Sequence, residues 1–181
     1  MYKQYPLPTT ALAGGSYAQE EGGGKTWPAS FYHPSTELAV RRRAVIFDDN
    51  AFLRTLLWMF FDHRGYEVLT FPDPGFCPLH VTDQCPCPTG TRCSDLIISD
   101  VNMVTANGVD FIDKLIQKGC RLPNFALMSG DFSRADLDRA SRIGCALFTK
   151  PVDMAALTAW VEQVERSTPP ERILYDWATG H

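Results

Sequence analysis

The sequence has no long hydrophobic run, no basic leader and no surplus of positive charge. Its longest uninterrupted apolar run, Leu56 to Phe61, is far shorter than the roughly 20 residues that a membrane-spanning helix requires. The first residues lack the basic stretch and apolar core of a secretion signal, so we expect a cytoplasmic protein with no membrane segment. A net charge of −4 argues against direct binding of nucleic acid, which needs a basic surface.

The N-terminal part of the chain lacks periodic hydrophobicity. Residues 1–42 are rich in glycine and proline, and we predict that they form a flexible extension. From Ala44 onward, short apolar runs alternate with amphipathic segments, a pattern typical of βαβ units. We therefore predict an α/β domain over residues 43–167, with a doubly wound parallel sheet of five strands, followed by a tail at 168–181.

The predicted strands and helices follow one another in strict alternation, with a single interruption. The predicted strands are Ala44–Phe47, Tyr66–Phe71, Leu96–Ser99, Phe125–Met128 and Cys145–Thr149, and the predicted helices span about 51–64, 109–118, 133–144 and 153–166. A second helix is expected between strands two and three. Residues 72–94 instead contain five prolines and four cysteines, and the prolines exclude a continuous helix there. We interpret 72–94 as an insertion that replaces this helix.

Polar side chains follow the predicted strands at the points where ligands bind in parallel sheets. The first strand ends in Asp48 and Asp49, the third in Asp100, the fourth in Ser129 and the fifth in Lys150. Clustered carboxylates repel one another unless a cation neutralises them, and Mg²⁺ prefers oxygen ligands of this kind. With an ammonium and a hydroxyl nearby, the set could bind a phosphoryl group, and one carboxylate could accept it as an aspartyl phosphate.

These residues stand in motifs that resemble the receiver domain of bacterial two-component response regulators. The motifs are I-F-D-D-N, I-I-S-D-V-N-M, L-M-S-G and F-T-K-P, and the resemblance covers about residues 43–167. It implies a flavodoxin-like sheet with strand order 2-1-3-4-5. It also implies that Asp100 is the phosphoacceptor in a self-catalysed reaction, so that the chain is not an enzyme acting on a separate substrate.

The resemblance assigns a role to each remaining motif residue. Ser129 would be the switch hydroxyl and Lys150 the lysine that pairs with the phosphoryl group. Mg²⁺ would be held by Asp48, Asp49, Asp100 and the main-chain carbonyl of Asn102. Gly108 would close the loop after the phosphoacceptor, whereas Val104 and Leu147 depart from the proline and the aromatic residue that the family usually has at these positions.

The resemblance also implies partners. A histidine kinase or a phosphotransfer protein would donate the phosphoryl group. Because no effector domain is evident after the last predicted helix, a stand-alone receiver would act on a downstream protein target by direct contact.

The insertion carries four of the six cysteines. Cys77, Cys85, Cys87 and Cys93 have the spacing C-x7-C-x-C-x5-C, which could provide a Zn²⁺ site or hold an Fe–S cluster. A redox-switchable pair of thiols, or cysteines that are merely packed, are the alternatives. We expect the two remaining cysteines, Cys120 and Cys145, to be small buried hydrophobic residues.

Two other functions remain open from the sequence. The first is a pseudo-receiver, or a metal- or redox-sensing module in which the cysteine loop carries the signal. The second is a haloacid-dehalogenase-type phosphatase with Asp48 as its nucleophile. The phosphatase would leave Asp100 without a role, and it requires an acidic pair after Lys150 where only Asp153 follows closely.

Overall fold

The computed structural model describes residues 42–77 and 83–175. Predictions for residues 1–41, 78–82 and 176–181 lie outside the described residues, including nearly all of the predicted flexible extension. Among the helices described, none is both long enough and apolar enough to span a membrane.

Strands and helices alternate through most of the described chain. The elements are β1 (Arg43–Phe47), α1 (Ala51–His63), β2 (Glu67–Phe71), β3 (Thr91–Arg92), β4 (Leu96–Asp100), α2 (Gly108–Gln117), β5 (Phe125–Ser129), α3 (Arg134–Ile143), β6 (Ala146–Thr149), α4 (Met154–Ser167) and β7 (Ile173–Leu174). All five strands and all four helices predicted from the sequence are confirmed, with their ends shifted by at most one residue.

The main sheet is parallel and has five strands in the order β2-β1-β4-β5-β6. This order confirms the predicted 2-1-3-4-5 arrangement, because the short strand β3 is not part of the main sheet. β3 instead pairs in parallel with β7, so that Thr91 aligns with Ile173 and Arg92 with Leu174. The sequence did not predict this small second sheet, which joins the insertion to the C-terminal segment.

Helices cover both faces of the main sheet, and the strands alternate their side chains between the two. In β1, Val45 and Phe47 belong to the hydrophobic cluster that contains the buried residues of α2. Ala44 and Ile46 belong to the cluster that contains the buried residues of α1 and α4. Because successive strand residues point to opposite faces, one continuous apolar strand contributes to both halves of the core.

A capping residue starts each helix close to the carboxyl end of the preceding strand. Asn50, Asn107 and Asp153 accept hydrogen bonds from main-chain amides in the first turns of α1, α2 and α4. Ser133 and Asp136 form a capping box at the start of α3. These caps satisfy amides that have no partner within the helix.

The crossover between β2 and β4 contains no α-helix in its described parts, as the prolines predict. It begins with a 3₁₀ turn at Pro74–Phe76, which is capped by Asp73. The Asp73 carboxylate also accepts a hydrogen bond from the Thr105 hydroxyl. The start of the insertion is therefore attached to the loop that follows Asp100.

Candidate functional site

The parallel register brings the predicted site residues to one edge of the sheet. Asp100 pairs with Met128, and Ser129 pairs with Thr149, so β4, β5 and β6 end within one residue of one another. Asp48 and Lys150 directly follow β1 and β6. The structure therefore brings together Asp48, Asp49, Asp100, Ser129 and Lys150, which the sequence predicted one by one.

Lys150 bridges two carboxylates that come from different strands. Its Nζ lies 2.8 Å from Asp48 Oδ2 and 3.0 Å from Asp100 Oδ2. Both carboxylates are nearly inaccessible to solvent, whereas the lysine is partly exposed. Burial lowers the pKa of Lys150, but the hydrogen bonds to the two carboxylates outweigh it, so the pKa lies above its ordinary value and the ammonium stays charged.

Three carboxylates at this edge have the arrangement of a divalent-cation site. Oxygen atoms of Asp48, Asp49 and Asp100 all lie within 4.8 Å of one another. Burial raises the pKa of Asp48 above its ordinary value, against the hydrogen bond from Lys150, which lowers it. The Lys150 ammonium therefore compensates the buried Asp48 carboxylate only in part. A hard cation with oxygen ligands would neutralise the negative charge that remains on the three carboxylates.

Arg54 adds a main-chain contact that the sequence did not reveal. Its guanidinium Nη1 donates to the main-chain carbonyl of Asp48 at 2.5 Å, and the amide of Asn50 donates to Asp48 Oδ1 at 2.8 Å. These two bonds fix the main chain and the side chain of Asp48. Nothing in the spacing of Arg54 distinguishes it from any other helix residue, because the contact depends on how α1 leaves the strand.

The Ser129 hydroxyl is buried between two loops. It donates to the main-chain carbonyl of Asp131 at 2.6 Å and accepts a bond of 3.4 Å from the Asn102 amide. The Asn102 side chain is exposed, and its residue forms an isolated bridge with Asn107 across the loop after β4. The Ser129 hydroxyl therefore lies at the edge of the sheet where the sequence predicted it. Rotation about the Cα–Cβ bond of Ser129 would point its proton in another direction.

Gly108 closes the loop after Asp100 through a very close approach of two main-chain segments. Its amide donates to the carbonyl of Val101 at 2.8 Å. A Cβ atom at this position would lie only 2.0 Å from the main-chain oxygen of Asp100 and 2.7 Å from Ser99 Oγ. Only glycine fits this position without moving the main chain of Asp100.

The two departures from the receiver pattern lie at the surface. Val104 is 86% exposed, and Leu147 is partly exposed at the position that is usually aromatic. The neighbouring Phe148 is buried and packs edge-on against Trp160, with ring centroids 5.8 Å apart. The Phe148 ring is therefore part of the hydrophobic core, and it does not replace the aromatic side chain that receivers usually have at the position of Leu147.

The cysteines are grouped differently from the predicted set. Cys85, Cys87 and Cys93 line one cavity together with Cys120, which comes from the segment after α2. Cys77 is not among the residues that line this cavity, and its side chain is buried in the hydrophobic core. The cavity therefore contains three of the four cysteines that the sequence analysis grouped, together with Cys120, which lies outside the insertion and whose spacing gives no sign of this position.

Comparison of the sequence with known proteins finds a partial match. No family model matches the chain. A probable transcriptional regulatory protein of a Picosynechococcus strain is 27% identical over 144 residues, which cover 76% of this chain. The chain spans 57% of the length of that relative.

Solved structures match about 70% of the chain. A response regulator receiver protein from Pseudomonas putida has a TM-score of 0.58 and 23% identity, over 70% of this chain and 99% of its own. The chemotaxis protein CheY4 of Vibrio cholerae has a TM-score of 0.54 and 20% identity, over 69% of this chain and 99% of its own. With its strand order, its helices on both faces and these structural matches, the chain has the fold of response regulator receiver domains.

Proposed function

We propose that this chain is a receiver that takes a phosphoryl group onto Asp100. The observation that carries the proposal is Lys150 Nζ, which lies within hydrogen-bond distance of the Asp48 and Asp100 carboxylates at the same time. A purely structural ion pair would need only one carboxylate. A second buried carboxylate held beside the same ammonium suits a site that binds an incoming group with several negative oxygens.

In the proposed reaction, an Asp100 oxygen attacks the phosphorus atom of a phosphohistidine or of a small acyl phosphate. The new bond joins this oxygen to phosphorus, the bond from phosphorus to the donor breaks, and its electron pair leaves with the donor. Lys150 donates hydrogen bonds to the phosphoryl oxygens. Ser129 turns its hydroxyl from the Asp131 carbonyl towards the same oxygens. Hydrolysis of the aspartyl phosphate later returns the carboxylate.

The carboxylates define where a cation would be held. Asp48, Asp49 and Asp100, with the main-chain carbonyl of Asn102, would bind Mg²⁺, which supplies positive charge for the transferred phosphoryl group. The chain's own part is to keep Asp48 fixed through Asn50 and Arg54, and to keep the Asp100 main chain in place through Gly108.

The proposed partners follow from the same chemistry. The donor is a histidine kinase or a phosphotransfer protein in the cytoplasm, and the output is a changed contact with a downstream protein. The matched relative is named as a transcriptional regulator, but this chain spans only part of it. The net charge of −4 favours a protein target over direct contact with nucleic acid.

The test is a mass measurement of the intact protein after incubation with acetyl phosphate, with and without Mg²⁺. We expect one phosphoryl group to be added, only with Mg²⁺, and not in Asp100→Asn. Asp138→Asn, which removes an exposed carboxylate on α3, is the matched control and should be phosphorylated like the wild type.

A folded wild type that gains no phosphoryl group would reject the proposal in favour of the pseudo-receiver. Steady hydrolysis of p-nitrophenyl phosphate that survives Asp100→Asn but not Asp48→Asn would identify a phosphatase instead. If Asp100→Asn still gained the phosphoryl group, another residue would be the phosphoacceptor.

A further inference from the structure

The side chains of four cysteines meet at the end of the sheet opposite to Asp100. Cys85, Cys87 and Cys93 come from the described part of the insertion, and Cys120 follows α2. One main-chain bond joins the two segments: the Cys85 amide donates to the Lys118 carbonyl at 2.8 Å. The Cys120 amide donates to the Leu115 carbonyl at 2.9 Å, which fixes the turn after α2. The cluster therefore joins two parts of the chain that are distant in sequence.

The four thiols are neighbours in pairs. Cys93 interacts with Cys120 and with Cys87, and Cys120 interacts with Cys85, so the four form one connected series. They line a cavity of about 190 Å³. The two ends of the series, Cys85 and Cys87, lie on either side of Pro86 in a segment without helix or strand, so their side chains can turn towards the other two.

The charges around the cavity also favour a thiolate centre. Arg92, Lys118 and Arg121 line it, and none of its lining residues in the described ranges is a carboxylate. A divalent ion with four thiolates carries a net charge of −2, which these cations would balance.

We propose that Cys85, Cys87, Cys93 and Cys120 together bind one Zn²⁺ ion. In a tetrahedral site with zinc–sulfur bonds of about 2.3 Å, neighbouring sulfurs lie about 3.8 Å apart, so the four thiols would draw together around the ion. An Fe–S cluster would hold its ligands further apart, around inorganic sulfides and several irons. On binding, each thiol loses its proton to solvent and donates a sulfur lone pair to the metal, with no change in oxidation state.

The site would stabilise the insertion that replaces the missing helix. Residues 83–90 have no helix or strand of their own, and β3 contributes only two residues to the small sheet. Where a loop cannot order by itself, the free energy of metal binding becomes free energy of folding. Because Cys93 precedes β4 and Asp100 ends it, the metal would lie about one strand length from the phosphoacceptor, and its role is independent of the phosphorylation proposed above.

The first experiment measures the metal bound to the full-length chain, purified without a polyhistidine tag. We expect about one zinc per chain in the wild type. The content should fall at least tenfold in Cys93→Ser and Cys120→Ser. Cys77→Ala and Cys145→Ala are the matched controls and should keep the metal, because neither residue lines the cavity.

A second measurement keeps the test valid if a serine variant fails to fold. Co²⁺ is added to the metal-free wild type, and the absorption spectrum should show thiolate-to-cobalt charge transfer and the visible bands of a tetrahedral ion. Titration with a mercurial should release the bound zinc as four thiols react.

Three results would overturn the proposal. The first is a folded wild type that binds neither zinc nor cobalt. The second is loss of zinc in Cys77→Ala with retention of zinc in Cys120→Ser, which would support Cys77 as the fourth ligand in place of Cys120. The third is iron with acid-labile sulfide, which would identify a cluster.

Discussion

Asp95 and Arg172 form an ion pair that is buried on both sides. The guanidinium donates to both carboxylate oxygens of Asp95, and the bond from Nη2 to Oδ2 measures 2.6 Å. The two residues are 77 positions apart, one just before β4 and the other just before β7. The same carboxylate accepts a bond of 2.8 Å from the Arg43 amide, so the pair connects the C-terminal segment to the start of the central strands.

Loss of this pair should destabilise the whole domain. Arg172→Met leaves the Asp95 carboxylate buried without its guanidinium, and removal of one partner from a buried pair costs about 3–5 kcal/mol. Urea denaturation should show this decrease in the free energy of unfolding. Arg166→Met removes an exposed arginine that pairs with Glu162 at 3.8 Å, and it should change stability by less than about 1 kcal/mol. Equal effects of the two variants would contradict the importance of the buried pair.

A side chain at position 108 should impair both stability and the proposed phosphorylation. The Cβ of Gly108→Ala would clash with the main-chain oxygen of Asp100, and the loop must shift at a cost of about 1–3 kcal/mol. We expect phosphorylation by acetyl phosphate to slow at least tenfold as the Asp100 carboxylate moves. Gly130→Ala meets no atom within 4 Å and should cost less than about 0.5 kcal/mol. A fully stable Gly108→Ala would show that the loop can move freely.

Removal of the Lys150 ammonium should make the domain more dependent on Mg²⁺. Lys150→Met leaves the buried Asp48 and Asp100 carboxylates without their shared cation, so a divalent ion has more negative charge to neutralise. The rise in melting temperature on adding Mg²⁺ should exceed that of the wild type by at least about 3 °C. Lys114→Met, on the exposed part of α2, should respond like the wild type. An unchanged response in Lys150→Met would place the cation site elsewhere.

The sequence predicted the parts of the molecule that follow from periodicity and from strand ends. Asp48, Asp100, Ser129 and Lys150 each follow or end an apolar run, and parallel strands in register must bring such residues to one edge. Cys120 and Arg172 gave no comparable signal. Cys120 interacts with Cys93 and Arg172 with Asp95, and each partner lies far away in sequence. Both contacts depend on how segments without helix or strand pack against the rest of the domain. The same holds for β3 and β7, since two-residue strands have no period to detect.

Cys145 should be an unreactive thiol in the native protein. Burial raises its pKa to about 12, so roughly one thiol in ten thousand is ionised at pH 8, and only the thiolate attacks an alkylating reagent. We expect iodoacetamide to modify Cys145 at least 100-fold more slowly in the folded protein than in urea. Because the raised pKa lies above the working range, the rate should climb about tenfold per pH unit between pH 8 and 10 without levelling off. Peptide mass spectrometry resolves this residue from the other five cysteines, and a plateau near pH 9 would show that the thiol titrates as it does in solvent.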